Sequence, residues 1–147
     1  MNFQLKTFDE LTTTELYKIL KERTDVFVVE QHCPYPEVDG KDLQSYHLFK
    51  EENGEIIAYL RILPPGVSYS ELSIGRVLVK KEYRGQHLAR QMMQEALTFI
   101  SNVLKVNTVK IQAQQYLQDF YSSFGFKVIS EVYLEDGIPH IDMLLKN

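Results

Sequence analysis

Short segments in which apolar and polar residues alternate predict the β-strands of this chain. Phe3 and Leu5 enclose a polar residue and predict a first strand. Residues 45–50 and 55–63 predict a hairpin, because the Asn53-Gly54 pair between them is a strong turn signal. The remaining predicted strands are residues 70–80, residues 108–113, and a last hairpin of residues 127–134 and 138–145 around Asp136-Gly137.

Apolar residues at helical spacing predict two long helices and a short one. Thr12 and Glu15 form a capping-box pattern before the first helix, which fades near Glu30. The second begins near Gln86 and carries the apolar stripe Leu88, Met92, Ala96 and Ile100. Residues 115–124 predict the short helix, with Gly125 placed to end it. Residues 32–42 contain two prolines and predict a long loop. This order predicts a mixed α/β (α+β) fold.

Length, composition and charge fit one soluble globular domain spanning residues 1–147. The net charge of −4 argues against nucleic acid as the main partner. No apolar segment has the length of a membrane span or the pattern of a signal peptide, so we expect no membrane partner. The single cysteine, Cys33, cannot form an internal disulfide, which favours a reducing, cytoplasmic compartment. The oligomeric state stays open, a homodimer included.

A basic cluster stands where the strand 70–80 runs into the second long helix. Its members are Lys80, Lys81, Arg84, His87 and Arg90, in a chain that is acidic overall. A strand–loop–helix junction offers free backbone N–H groups and the positive end of a helix dipole, and both attract anions. The junction therefore predicts a site for a particular anionic ligand rather than for polyanions in general.

The junction resembles the phosphate-binding signature of the GNAT superfamily of acyl-coenzyme-A N-acyltransferases. That signature is Gln or Arg, two residues, Gly, one residue, then Gly or Ala, and the matching window is residues 84–89. His87 stands where the pattern prefers glycine. Residues 120–126 resemble the family's Tyr-x-x-x-Gly-Phe motif. Residues 23–35, Asp39 with Asp42, and residues 133–140 resemble its ElaA-like branch.

This resemblance implies a mostly antiparallel central sheet, splayed at its middle strand, with helices on both faces. It implies an N-acetyltransferase that moves an acetyl group from acetyl-CoA, without a metal, to a primary amine by direct attack in a ternary complex. The acceptor, a small molecule or a peptide, stays unidentified. A non-catalytic acyl-CoA sensor or regulatory module is the alternative.

The resemblance also implies roles for individual residues. The backbone of Val77, Leu78 and Val79 would pair with the pantetheine arm, and an N–H near Val77 or Leu78 would face the thioester carbonyl. Tyr121 would be the general acid that protonates the leaving thiolate, and Gln114 would contact the coenzyme. The pyrophosphate would lie on the N–H groups of Arg84, Gly85, Gln86, His87, Leu88 and Ala89.

Several polar residues keep more than one interpretation. Glu30, His47, His140 or a chain of waters could accept the proton of the amine, and His47 in its alternating strand fits a structural role better. Arg23 is expected to fasten the loop by pairing with Asp39 or Asp42. Glu37, Asp39 and Asp42 could otherwise form an acidic mouth for a cationic amine. We do not expect His32, Cys33 and His47 to bind a metal, or Cys33 to act as a nucleophile.

Overall fold

One eight-stranded sheet forms the centre of the molecule. The computed structural model describes residues 3–34 and 36–147, so Tyr35, which ends the ElaA-like block, lies outside the described residues. The strand order is β1-β2-β3-β4-β5-β8-β6, with β7 paired to β8. The strands are β1 (Gln4–Thr7), β2 (Tyr46–Glu52), β3 (Glu55–Leu63), β4 (Leu72–Val79), β5 (Thr108–Gln114), β6 (Lys127–Val128), β7 (Tyr133–Glu135) and β8 (Ile138–Lys146). Within the described chain, only β4 and β5 pair in parallel.

Three α-helices accompany the sheet: α1 (Thr13–Arg23), α2 (Leu88–Asn102) and α3 (Gln118–Ser122). A π-helical segment (Thr24–Glu30) continues α1, so the first predicted helix does extend to Glu30. Thr12 and Glu15 make the expected capping box, each side chain bonding to the backbone N–H of the other. The short helix predicted at residues 115–124 is split into a 3₁₀ turn (Gln115–Leu117) and α3.

The core lies on both faces of the sheet, because β3 is buried along nearly its whole length. Side chains alternate between the faces of a strand. Leu60 belongs to a core cluster that contains Met92 of α2, whereas its neighbour Tyr59 belongs to a second cluster with Ile19 of α1. The expected layout of helices on both faces is confirmed.

The strand predicted at residues 127–134 is interrupted in the structure, and β6 and β7 are its two ends. Between them, the hydroxyl oxygen of Ser130 accepts a hydrogen bond from the N–H of Asp142 on β8, at 2.9 Å. A side chain thus occupies a donor that a regular strand would pair with a backbone carbonyl. The alternation of apolar and polar residues does not reveal that the Ser130 side chain replaces a backbone carbonyl as the acceptor.

The sheet opens between β4 and β5. Their pairing is limited to Leu72 with Val109 and Ser73 with Lys110. Further along β4, Tyr59 pairs with Leu78 and Arg61 with Gly75, so Leu60 lies opposite two residues and β4 is bulged there. The bulged residue Arg76 has φ of 53°, in the left-handed region. From Ile74 onward the edge of β4 that faces β5 has no strand partner in the described chain. The predicted splay is confirmed.

Candidate active site

A cavity of about 610 Å³ occupies the opening between β4 and β5. Its walls come from the unpaired half of β4, the end of β5, the π-helical segment, α3 and the β7–β8 turn. Val77, Leu78, Val79, Gln114 and Tyr121, which the resemblance assigned to the coenzyme and the acid, all line it. The unpaired edge of β4 therefore faces a space that an extended ligand could enter as an added strand.

Tyr121 is buried, with 6% of its surface exposed, yet it lines the cavity. Phe120 and Phe126 pack edge-on against its ring. Its hydroxyl makes no hydrogen bond with any described residue, although a buried phenol normally has a partner. Burial and the nearby Tyr116 raise the pKa of Tyr121. The phenol therefore stays protonated at neutral pH and has a free proton to donate into the cavity.

A second pocket, of about 360 Å³, lies where the β4–α2 loop meets the first turn of α2. Arg84, Gly85, His87, Leu88 and Ala89 line it, whereas Gln86 does not. Val79 and Arg84 line both cavities, so the two spaces adjoin. A ligand on the edge of β4 could therefore continue to the amino end of α2.

The backbone of this loop explains why the family pattern carries glycines here. Gly85 has φ of 84° and His87 has φ of 63°. An added Cβ at Gly85 would meet no atom within 4 Å, so the conformation alone accounts for that glycine. His87 adopts the same left-handed region without being glycine and precedes the first residue of α2. The left-handed φ of His87 therefore gives a conformational reason for the glycine that the pattern prefers there.

Most of the predicted basic cluster already has partners. Arg84 forms a two-pronged ion pair with Glu30, with nitrogen–oxygen distances of 2.8 and 2.9 Å, and its Nε donates to the carbonyl of Val79 at 2.9 Å. Lys80 pairs with Glu22 at 3.1 Å. Arg90 lies over the rings of Phe120 and Phe124. The junction is therefore less positive than the sequence suggested, and an anion there must compete with Glu30 for Arg84.

The three candidate bases lie in different surroundings. His47 is fully buried, with Nδ1 2.7 Å from the Tyr59 hydroxyl and Nε2 3.0 Å from the carbonyl oxygen of Asp42, so its role is structural. Glu30 lines the cavity, but its hydrogen bonds from Arg84 lower its pKa, which makes it a weaker base. His140 also lines the cavity.

Gln114 adjoins His140 and is less free than expected. The two residues are cross-strand partners on β5 and β8. The side-chain amide of Gln114 donates to the side-chain oxygen of Gln31 at 3.3 Å. This bond is long, so a coenzyme group could displace it at small cost.

The carboxylates of the 32–42 loop are bound to arginines, so the acidic mouth is wrong. Arg23 contacts Glu37 and Asp42, each at 2.7 Å, and Arg61 contacts Asp39 at 2.6 Å and Asp42 at 3.0 Å. Three arginines, the third being Arg76, balance three carboxylates.

The expected fastening of the loop by Arg23 is confirmed through Asp42, whereas Asp39 pairs with Arg61 instead. Burial alone would raise the pKa of Asp39, but the hydrogen bonds from Arg61 outweigh it and hold that pKa well below its usual range. The sequence interpretation missed Arg61 and Arg76. An arginine inside the apolar run of β3 was the available signal, because a buried charge requires a partner.

Within residues 3–34 and 36–147, no group of three or more histidine, cysteine, aspartate and glutamate side chains is arranged to hold a metal ion. Cys33 is buried and lines the cavity, with its Sγ 3.6 Å from the carbonyl oxygen of Asp136. In the same ranges, no helix has both the length and the apolarity needed to cross a bilayer.

Known proteins share both the sequence and this geometry. A family model described as an acetyltransferase (GNAT) domain matches residues 11–147. Protein ElaA of Escherichia coli is 43% identical over 136 residues, covering 91% of this chain and 89% of ElaA. The chain belongs to the GNAT acyltransferase family.

Solved structures agree with this assignment. An acyl-CoA N-acyltransferase from Pseudomonas aeruginosa superposes with a TM-score of 0.93 at 44% identity, covering 98% of each chain. The crystal structure of Escherichia coli ElaA superposes with a TM-score of 0.93 at 40% identity, covering 99% of each chain. The expected GNAT fold and the ElaA-like relationship are therefore confirmed. GNAT proteins use acyl-CoA as the donor, which agrees with an opening between β4 and β5.

Proposed function

We propose that this chain is an N-acetyltransferase that moves an acetyl group from acetyl-CoA to a primary amine. The transfer is direct, within a complex that holds donor and acceptor together, and needs no metal. One observation carries the proposal: the free hydroxyl of Tyr121 and the unpaired edge of β4 line the same cavity. The acceptor is a small molecule or a peptide amine. The protein acts as a single domain, residues 1–147, in the cytoplasm.

The coenzyme path follows from the two adjoining spaces. The pantetheine arm pairs with the backbone of Val77, Leu78 and Val79 as an added strand. Its pyrophosphate lies on the backbone N–H groups of residues 84–89, at the amino end of α2, where unpaired donors and the helix dipole attract phosphate. Gln114 contacts the arm from the opposite wall. This path runs through both cavities at Val79 and Arg84.

The chemistry then needs a donor to the developing oxyanion, an acid for the leaving thiolate, and a base or a water that takes one proton from the amine nitrogen. The nitrogen lone pair of the amine attacks the thioester carbon, and negative charge develops on the carbonyl oxygen. An N–H of Val77 or Leu78 stabilises that charge, since the β4 edge has no strand partner there. As the carbon–sulfur bond breaks, the Tyr121 hydroxyl gives its proton to the departing thiolate. A raised pKa keeps that proton in place until the transfer.

The test measures free thiol release from acetyl-CoA with a panel of primary amines, and acetyl-CoA affinity by calorimetry. Tyr121→Phe keeps the ring packing and removes only the hydroxyl. We expect it to lower turnover by about 10²–10⁴-fold, with affinity nearly unchanged, because the interaction exists only in the transition state. Tyr17→Phe, an exposed tyrosine outside both cavities, is the matched control.

The alternative is a non-catalytic acyl-CoA sensor. A sensor has no use for an unpaired phenol beside the thioester, so the free Tyr121 hydroxyl favours the enzyme. Tight acetyl-CoA binding without thiol release for any amine would overturn the enzymatic proposal and support the sensor. Full turnover in Tyr121→Phe would show that Tyr121 is not the general acid, without contradicting the proposed acetyl transfer.

A further inference from the structure

We propose that His140 is the general base that accepts the proton of the acceptor amine. This inference rests on the proposed acetyl transfer and adds the group that the transfer lacks. His140 lies near the start of β8, where it is the cross-strand partner of Gln114 on one side and Tyr133 on the other. It lines the cavity that also contains Tyr121 and the unpaired edge of β4.

The hydrogen bonding of His140 determines which nitrogen can act. Its Nδ1 lies 2.7 Å from the backbone carbonyl oxygen of Ile138. A carbonyl oxygen only accepts, so Nδ1 carries the hydrogen, and the lone pair of the neutral ring is on Nε2. No described residue forms a hydrogen bond with Nε2. The ring is thus held in the tautomer that a base requires, with its basic nitrogen unoccupied.

A second contact fixes the orientation of the ring. The imidazole stacks on Tyr133, with ring centroids 6.3 Å apart and an angle of 25° between the planes. The Tyr133 hydroxyl donates in turn to a carboxylate oxygen of Asp142 at 2.5 Å. His140 is therefore supported on its own hairpin and does not depend on the coenzyme for its position.

The other two candidates are already engaged. His47 has both ring nitrogens within hydrogen-bond distance of protein groups and is fully buried. Glu30 has both carboxylate oxygens bound to Arg84. Of the three side chains that the sequence suggested, His140 alone combines a free basic atom with a place on the cavity wall.

His140 and Tyr121 together account for both proton transfers of the reaction. As the carbon–nitrogen bond forms, Nε2 of His140 takes one proton from the amine nitrogen, which becomes the amide nitrogen of the product. As the carbon–sulfur bond breaks, Tyr121 gives one proton to the sulfur. His140 then releases its proton to solvent and Tyr121 regains one, so no other reactant is needed.

The test uses acetyl-CoA alone, with water as the nucleophile, and acetyl-CoA with butylamine. Water also loses a proton to the base, so the first reaction needs no known acceptor. His140→Gln should lower the rate of thiol release by about 10²–10⁴-fold, with unchanged acetyl-CoA affinity by calorimetry. His32→Asn is the control, because His32 is exposed and lies outside the cavity.

Two further readouts separate a base from a merely structural histidine. Added imidazole should restore part of the rate of His140→Ala, since it can enter the vacated space and take the proton. The pH–rate profile of water-driven thiol release should have an acidic limb in the wild type, and His140→Gln should lack it. Other titratable groups on the packed elements could give a limb of their own. They are Tyr133, Glu135, Asp136 and Asp142 on the hairpin, Tyr116 in the 3₁₀ turn, Asp119 and Tyr121 in α3, and Cys33 beside Asp136.

The outcomes distinguish this inference from the proposed function. If His140→Gln keeps the wild-type turnover and the acidic limb, His140 is not the base, and the proposed transferase activity is unaffected. Absence of thiol release by the wild type, despite acetyl-CoA binding, overturns both. If His140→Gln does not fold, His140→Asn takes its place, and full turnover in that variant excludes His140.

Discussion

Replacing Glu30 with glutamine should tighten coenzyme binding, because it removes the group that competes with phosphate for Arg84. Glu30 ends the π-helical segment and Arg84 begins the proposed phosphate-binding window, so their ion pair bridges the cavity rim. Both nitrogens of the guanidinium fork point to Glu30. A bound pyrophosphate must either displace this carboxylate or lie beside its negative charge.

The exposure of the pair sets the size of the effect. Both side chains are 41% exposed. Ion pairs at such solvent-screened positions contribute about 0.2–1 kcal/mol. If that free energy no longer opposes phosphate binding, coenzyme affinity should rise by about 1.4- to 5-fold. Loss of repulsion between Glu30 and the phosphates acts in the same direction and should weaken as salt is added.

Calorimetry with coenzyme A on Glu30→Gln, Arg84→Gln and the double variant measures the coupling. We expect Glu30→Gln to bind more tightly, Arg84→Gln to bind more weakly, and the gain from Glu30→Gln to be smaller when Arg84 is also replaced, since only the loss of repulsion then remains. Glu131→Gln removes an exposed carboxylate outside both cavities and controls for net charge. The same gain in Glu30→Gln with and without Arg84, or a loss of affinity, would refute competition for the arginine.

Three further changes test other parts of the structure. His87→Gly should preserve or improve coenzyme affinity in calorimetry, since glycine adopts this left-handed backbone without the roughly 1–2 kcal/mol cost of a side chain; a large loss would mean that the imidazole contacts phosphate. Arg23→Met should lower the free energy of unfolding by about 3–5 kcal/mol, because it leaves three carboxylates with only two arginines, Arg61 and Arg76, whereas Lys21→Met on the exposed face of α1 should change it little in urea denaturation. The free energy of unfolding should also fall in two steps as the pH is lowered. The first step lies below about pH 6.5, because burial lowers the pKa of His47 and only the unfolded chain protonates this histidine there. The second step lies below about pH 4, because there the unfolded chain protonates Asp39 whereas the folded chain, with its lowered pKa, does not. A free energy of unfolding from urea denaturation that stays constant from pH 7 into this acid range would contradict both steps.

Local signals were enough to predict most of the elements. The Asn53-Gly54 turn and the Thr12 cap depend on interactions within a few residues, so the local sequence that predicts them also produces them. The order of strand, loop and helix at residues 76–90 was predicted in the same way. The interruption at Ser130 was not predictable in this way, because its partner Asp142 lies on another strand.

The charged network around the loop lay beyond sequence reasoning for a related physical reason. Its pairs join residues that are far apart in the chain, such as Arg76 and Glu37. Each charge alone predicts only that a partner exists, and the choice between partners follows from how the loop lies on β3 and β4. Arg23 therefore pairs with Glu37 and Asp42, leaving Asp39 to Arg61.

That network also bears on the opening of the sheet, through Arg76. A non-glycine residue in the left-handed region costs on the order of 1–3 kcal/mol and persists only where its surroundings hold it. Arg76 donates through Nε to Glu37 at 2.6 Å, and Glu37 is itself held by Arg23 at 2.7 Å. We infer that these ion pairs stabilise the bulge that turns the edge of β4 away from β5. If so, Glu37→Gln should weaken coenzyme binding although Glu37 does not line the cavity. Calorimetry on that variant, beside Asp25→Asn as a solvent-exposed control, checks the coupling; unchanged affinity would show that the bulge is maintained by the strand pairing alone.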